Sequence, residues 1–173
     1  MGHRYMKRLL LVLLGLFVLT LIAIGVVDLE LRTPVSPMGI ISFEFCGFTS
    51  TCEEILSQWG TEGQKLAMFS LGIDYLYMVL YPSVICVGLL LVAAKVPARI
   101  NNITRGLAWV ALCAGVADAF ENYFLIRILL SGTGETSGFL AGAFATTKFF
   151  VFGVTVSWLL FTVLVYGLRR KNA

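Results

Sequence analysis

Four long apolar stretches separated by shorter polar segments dominate the sequence. They cover about residues 9–27, 65–94, 106–130 and 139–168. About 20 apolar residues in a helix cross the hydrocarbon core of a bilayer, and each stretch is at least close to that length. The pattern predicts an all-α transmembrane four-helix bundle that forms a single integral membrane domain over residues 1–173. One long outer loop, residues 28–63, joins the first two spans.

The long loop carries its own helical pattern. Ser50 and Glu53 have the spacing of a capping box, and Gly60 stands where a helix would end. Between them an apolar stripe has helical spacing: Cys52, Ile55, Leu56 and Trp59. We expect a short amphipathic helix that either packs on the outer end of the bundle or lies at the interface with Trp59 as an anchor. Residues 38–45 alternate imperfectly and indicate a short strand or a stretch on the membrane surface.

Composition agrees with a membrane protein, because 58% of the residues are hydrophobic and only 13% are charged. A soluble domain has about a quarter of its residues charged. The net charge of +3 does not indicate nucleic-acid binding, since most bases lie in three clusters beside apolar stretches: Arg4/Lys7/Arg8, Lys95/Arg99/Arg105 and Arg169/Arg170/Lys171. By the positive-inside rule we expect both termini in the cytoplasm and a bacterial inner (plasma) membrane location, with residues 95–105 as a short basic loop.

The chain has one histidine, His3, in its N-terminal tail. Histidine-based metal sites and Ser-His-Asp or Cys-His catalysis are therefore excluded. We predict no metal site and no cofactor. The expected partners are the lipid bilayer and either a small amphiphile or another membrane protein, with no nucleic acid.

Polar side chains within the spans mark the candidate site. Asp118, Glu121 and Asn122 share one face of the third span. Asp74, Tyr77 and Tyr81 share one face of the second, and Lys148 lies in the fourth. Counted from the outer ends of the spans, Asp74, Glu121 and Lys148 each lie about 13 Å deep at 1.5 Å per residue. We therefore expect one shared charged layer, with Arg127 extending to the outer interface instead.

Two interpretations of this layer remain open. Pairing of Asp74 or Glu121 with Lys148 would fix the register of the bundle. Alternatively, the layer lines a cavity that binds or processes a ligand, because ionisable residues at bilayer depth are costly and are commonly functional. Asp118 and Glu121 are then the candidate proton donors or acceptors, with Asn122 orienting a substrate.

Two smaller features concern packing. Cys46 and Cys52 lie in the outer loop, where an oxidising compartment would permit a disulfide, and the free-thiol alternative stays open. Gly138 and Gly142, at the start of the fourth span, have the spacing that allows close helix approach.

Four short motifs carry a resemblance to a known group of proteins. They are Gly39-Ile-x-x-Phe-Glu44, Ile55-x-x-x-Trp59-Gly60, Leu71-Gly-x-Asp-Tyr-Leu76 and Gly115-x-x-Asp-x-x-Glu-Asn122. Over most of residues 33–130 the chain resembles a group of small four-span bacterial integral membrane proteins with no assigned function. The resemblance implies the four-span fold and brings no activity. The loop cysteines are not a feature of that group, so the resemblance does not support a disulfide.

These observations favour a non-enzymatic binding or structural membrane protein with a buried acidic layer. The second hypothesis is an enzyme that acts on a lipid-like substrate with Asp118 or Glu121 as acid or base. The third is proton-coupled transport, which four spans without an internal repeat would need to achieve as an oligomer.

Overall fold

The computed structural model describes residues 2–132 and 135–167, and within these ranges the chain is helical and contains no strand. The helices, in chain order, are α1 (His3–Glu30), α2 (Ile40–Glu44), α3 (Cys46–Thr49), α4 (Cys52–Ala93), α5 (Ala98–Ser131) and α6 (Glu135–Thr162). A π-helical stretch, Val163–Gly167, continues α6. The predicted basic cluster of Arg169, Arg170 and Lys171 and the end of the predicted fourth span at residue 168 lie outside the described residues.

Four of these helices, α1, α4, α5 and α6, are long and apolar enough to cross a membrane. The prediction of an all-α bundle with four spans is therefore confirmed. The most apolar window of α5 has a mean hydropathy of 1.4, against 3.1 for α1. α5 carries Asp118, Glu121 and Asn122 on its buried face.

Small residues set how the spans pack. α5 lies between α4 and α6 and contacts both extensively, and its buried face includes Ala108, Ala111 and Ala114. At Gly115 the backbones of α5 and α4 approach so closely that an added Cβ would collide with the carbonyl of Met78. α1 packs on α4 alone among the spans, and it has at most marginal contact with α6. The bundle therefore has a gap between its first and last spans.

The prediction of a strand within residues 38–45 is wrong, because residues Ile40–Glu44 of this segment form α2. Gly39 has a positive φ of 57°, which lets the chain turn into α2. The side chain of Asp28, at the end of α1, then accepts a hydrogen bond from the Ile40 amide at 2.7 Å. Phe43 and Glu44 are buried, so α2 packs into the bundle.

The predicted amphipathic helix is present and forms the first part of α4. Gly60, with φ 56° and ψ −167°, breaks the helix where the sequence indicates an end. All four residues of the apolar stripe are buried, so the helix packs on the end of the bundle. Trp59 is not an interfacial anchor: its indole N–H donates to the Leu31 carbonyl at 2.8 Å and to the Ser36 hydroxyl at 3.1 Å.

Two predicted boundaries are wrong. The capping box fails because Ser50 adopts a left-handed conformation that ends α3, and Thr51 instead precedes the first residue of α4. The basic loop is shorter than residues 95–105, because α5 begins at Ala98 directly after Pro97. Proline suits that position, since a helix start leaves backbone amides without partners in any case.

The loop is held against the bundle at its middle. Cys46 and Cys52 form a disulfide that joins α3 to the start of α4. Gly47 of α3 packs against the backbone of Gly138 in α6 so closely that a side chain on either glycine would collide with the other helix. Phe48 fills the space beside Gly142. Gly138 and Gly142 of α6 therefore leave the space in which α3 of the loop packs.

Candidate functional site

Lys148 of α6 lies at the centre of a charged cluster inside the bundle. Its ammonium Nζ donates hydrogen bonds to Asp118 Oδ1 at 3.0 Å and to Glu121 Oε1 at 2.9 Å, both on α5. A third carboxylate, Glu44 Oε1 of α2, lies 3.4 Å from the same nitrogen. All four residues are more than nine-tenths buried. One cation thus links two spans and the loop.

Asp74 lies beside this cluster and has a different partner. Its Oδ2 accepts a hydrogen bond of 2.6 Å from the Asn122 side-chain amide, which ties α4 to α5. Asp74 makes no ion pair with Lys148 within the described part of the chain, so of the two predicted pairings the structure forms Glu121 with Lys148. Asn122 is almost completely buried, and it serves as the hydrogen-bond donor that a carboxyl at this depth needs.

Tyr81 and Tyr77 extend the polar surface along α4. Their rings lie 5.2 Å apart, and Tyr81 also packs edge-on against Phe152 of α6 at 5.9 Å. The Tyr81 hydroxyl is buried and has no hydrogen-bond partner among the described residues. Tyr77 stacks on Phe17 of α1 at 5.4 Å, which joins the edge span to the site.

Glu44 is the functional residue that sequence reasoning missed. The sequence places it in the outer loop of residues 28–63, but the turn at Gly39 and the Asp28 hydrogen bond direct α2 back into the bundle. The available signal was its position between Phe43 and Phe45, since an acid within an apolar run is unusual on a solvated loop. Burial raises the pKa of the Glu44 carboxyl above its usual range, and the nearby Lys148 charge only partly opposes this effect.

The cluster has more acids than bases. Glu44, Asp118 and Glu121 contact a single ammonium, that of Lys148, and Asp74 lies beside them with the Asn122 amide as its partner. If every carboxyl were ionised, the site would hold three uncompensated negative charges, which an interior of low dielectric strongly disfavours. Protons or a cationic ligand must therefore complete the charge balance.

A cavity of about 330 Å³ lies against this cluster. Its polar wall consists of Asp28, Glu44, Asp74, Tyr77, Tyr81, Asp118 and Lys148. Its apolar wall consists of Leu21, Ile24, Gly25, Ile40, Ile41, Phe149 and Phe152. Of the two catalytic candidates, Asp118 lines the cavity and Glu121 does not. Glu121 instead accepts a hydrogen bond from the Lys148 ammonium.

The cavity opens sideways, between α1 and α6. Leu21 and Gly25 on α1 and Phe149 and Phe152 on α6 line it, and all four are exposed on the bundle surface. The exposed fractions are 46% for Leu21, 42% for Phe149 and 37% for Phe152. These residues belong to two of the helices that are long and apolar enough to cross a membrane, so the opening lies on the apolar outer surface of the bundle.

The remaining candidates lie away from the cluster. Arg127 is exposed on α5, as expected for a side chain that extends to the interface. Within the described residues, no group of three or more His, Cys, Asp or Glu side chains has a geometry that could hold a metal ion. A second, apolar groove of about 730 Å³ lies between α4 and α5 and is lined by Gly115, Val116 and Pro82 among others.

The fold and the site define a class: a helical protein with four helices able to cross a membrane and a charged cavity that opens on the side of the bundle. Comparison with protein-family models, curated proteins and solved structures finds no match to this chain. The resemblance to small four-span bacterial proteins therefore stays a prediction.

Proposed function

We propose that this membrane protein binds a small amphiphile in the cavity between α1 and α6 without catalysing a reaction on it. The observation that carries the proposal is the sideways opening of a cavity with a charged inner wall and an apolar rim. A volume of about 330 Å³ lies at the small end of ligand pockets, which are commonly about 300–1,000 Å³. It suits a polar head group with a few methylene groups.

The alkyl chain attached to such a head group would pass out of the cavity through the gap between α1 and α6. Leu21 and Phe152 present apolar side chains on either side of the opening. An alkyl chain between them would stay in contact with lipid, so binding would not need to extract the whole molecule from the bilayer. The ion pairs of Lys148 would hold the inner wall in shape, which gives the charged layer a structural role as well.

We further propose that the chain belongs to the resembled bacterial group, with both termini in the cytoplasm of an inner-membrane protein. The motifs behind the resemblance support the first part, because Glu44, Asp74, Asp118, Glu121 and Asn122 all meet at one site. Clustered bases at the start of α1 and around the connection from α4 to α5 support the orientation.

The orientation is tested by fusions after residue 173. A green fluorescent protein there should fluoresce in cells, whereas alkaline phosphatase at the same position should be inactive. The reverse result would place the termini outside and remove the orientation from the proposal.

Ligand binding is tested by narrowing the opening. Gly25 lines the cavity and has open space around the position of a side chain, so Gly25→Trp should fold and obstruct the entrance. Gly15 lies on the same helix, also has open space, and does not line the cavity, so Gly15→Trp is the matched control. Native mass spectrometry with lipid extraction should find a bound amphiphile in the wild type and the control, and much less in Gly25→Trp.

Equal occupancy in all three proteins would place the bound lipid elsewhere, and the absence of any bound molecule in all three would contradict the binding function.

A lipid-modifying enzyme is the second candidate. It is favoured by one observation: Asp118 and Tyr81 both line the cavity, and the Tyr81 hydroxyl has no hydrogen-bond partner among the described residues. Such a pair could transfer a proton to and from a bound head group. Conversion of an extracted lipid by the wild type, lost in Asp118→Asn while the lipid still binds, would establish this function over simple binding.

A further inference from the structure

Three buried oxygen atoms at the site have no hydrogen-bond partner within the described residues: Glu44 Oε2, Tyr81 Oη and Glu121 Oε2. Two of these side chains, Glu44 and Tyr81, line the cavity and are more than nine-tenths buried. A buried polar atom without a partner is costly, and native proteins contain few of them. Carboxylate and hydroxyl oxygens all accept hydrogen bonds, so the cavity wall presents buried acceptor atoms to which no donor of the described residues is directed.

The same wall is deficient in positive charge. Asp28 in this wall is paired with Arg32, whereas Glu44, Asp74 and Asp118 line the cavity with one ammonium, that of Lys148. That ammonium already donates hydrogen bonds to Asp118 at 3.0 Å and to Glu121 at 2.9 Å. A ligand that satisfies both deficiencies must carry a positive charge and N–H donors together.

Each common head group can be compared with this requirement. A phosphate or sulfate adds negative charge to an acidic wall. A hydroxyl offers one donor and no charge, and a quaternary ammonium offers charge without a donor. A primary ammonium offers one positive charge and three N–H donors.

We infer that the cavity takes the primary ammonium head group of an amine-bearing amphiphile, between Glu44, Asp118 and the Tyr81 hydroxyl. This inference rests on the proposed binding function and specifies its ligand. The rings of Tyr77, Phe149 and Phe152 on the remaining wall suit the adjoining methylene groups and the cation. One bound ammonium removes one of the excess negative charges, and carboxyl protons balance the rest.

The inference is tested with the full-length protein in nanodiscs of phosphatidylcholine, whose own head group lacks N–H donors. The probes share one chain and differ in the head group: dodecylamine, dodecyltrimethylammonium, dodecanol and dodecyl sulfate. Binding is followed by native mass spectrometry and by thermal stabilisation. Dodecylamine should bind at least about tenfold more tightly than the other three, since one charge-assisted hydrogen bond accounts for a factor of this size.

Two variants locate the bound head group. Tyr81→Phe removes a hydroxyl that has no hydrogen-bond partner among the described residues, so the protein should fold, and its affinity for dodecylamine should fall by about tenfold. Tyr75→Phe removes an exposed hydroxyl on the same helix outside the cavity, and it should bind like the wild type. Equal losses in both variants, or none in Tyr81→Phe, would overturn the proposed position of the ammonium.

The outcomes separate this inference from the function on which it rests. If dodecanol or dodecyl sulfate binds as well as dodecylamine and Gly25→Trp abolishes that binding, the cavity binds amphiphiles and the ammonium specificity is refuted. If no probe shows binding that depends on Gly25, both proposals fail.

A further arm replaces part of the phosphatidylcholine with phosphatidylethanolamine. Competition with dodecylamine would identify an aminophospholipid as a source of the ammonium. Lack of competition, with dodecylamine still bound, would indicate a free long-chain amine.

Discussion

Removal of the Lys148 ammonium should destabilise the protein strongly. Lys148→Met keeps a similar side-chain length but leaves Asp118 and Glu121 without their hydrogen-bond donor and Glu44 without its nearby cation. Breaking a buried ion pair by removing one partner typically costs about 3–5 kcal/mol. For a chain of this size, 1 kcal/mol corresponds to about 2–4 °C in Tm, so the midpoint should fall by about 6–20 °C.

The assay is thermal unfolding in one detergent at fixed protein concentration. Arg127→Met is the control, because Arg127 is an exposed base on α5, and its Tm should change by no more than about 2 °C. The double variant Lys148→Met/Glu121→Gln should regain part of the lost stability, since it removes one of the uncompensated carboxyls. A Lys148→Met midpoint within about 2 °C of the wild type would refute the assignment of Lys148 as the central cation of the bundle.

Two further predictions concern the loop. Burial raises the pKa of Glu44 in the folded protein, so the folded state binds this proton more tightly than the unfolded state. Stability should therefore rise as pH falls from above that raised value towards the ordinary value of about 4.3, and Glu44→Gln should reduce the pH slope of Tm in this window. An unchanged pH slope of Tm in Glu44→Gln would contradict the assignment of a raised pKa to Glu44. Separately, Gly39→Ala should lower Tm, because the new Cβ would overlap the Asp28 carboxylate at a positive φ, whereas Gly72→Ala, with open space around its Cβ, should not.

The spans were predictable because their signal is local. A run of apolar residues such as 9–27 crosses a bilayer whatever its neighbours do, and the structure has a helix there. The apolar stripe that ends at Trp59 was equally readable, since helical spacing needs only the residues themselves. The grouping of Glu121 with Lys148 could also be estimated, because depth in a membrane follows from counting residues along straight helices.

The position of Glu44 was not predictable in the same way. It depends on a contact between Asp28 and Ile40, on the turn at Gly39 and on the packing of Gly47 against Gly138. None of these has a periodic pattern in the sequence. The capping-box spacing at Ser50 was misleading for a related reason: the end of α3 determines the conformation of that residue before α4 begins.

The central cation belongs to the last of the four spans, and this order matters for biogenesis. As the chain inserts from its N-terminus, Asp74, Asp118 and Glu121 enter the membrane before Lys148 is available. A charged residue at the centre of an inserting helix costs about 2.5–3.5 kcal/mol, so the earlier spans hold these side chains at a cost until their partner on the last span is available. Arrival of α6 supplies the cation to Asp118 and Glu121. Because Glu44 contacts the same ammonium, the loop segment that carries it can reach its final packing only after α6 is in place. A nascent chain released before that point would therefore lack the complete charged cluster.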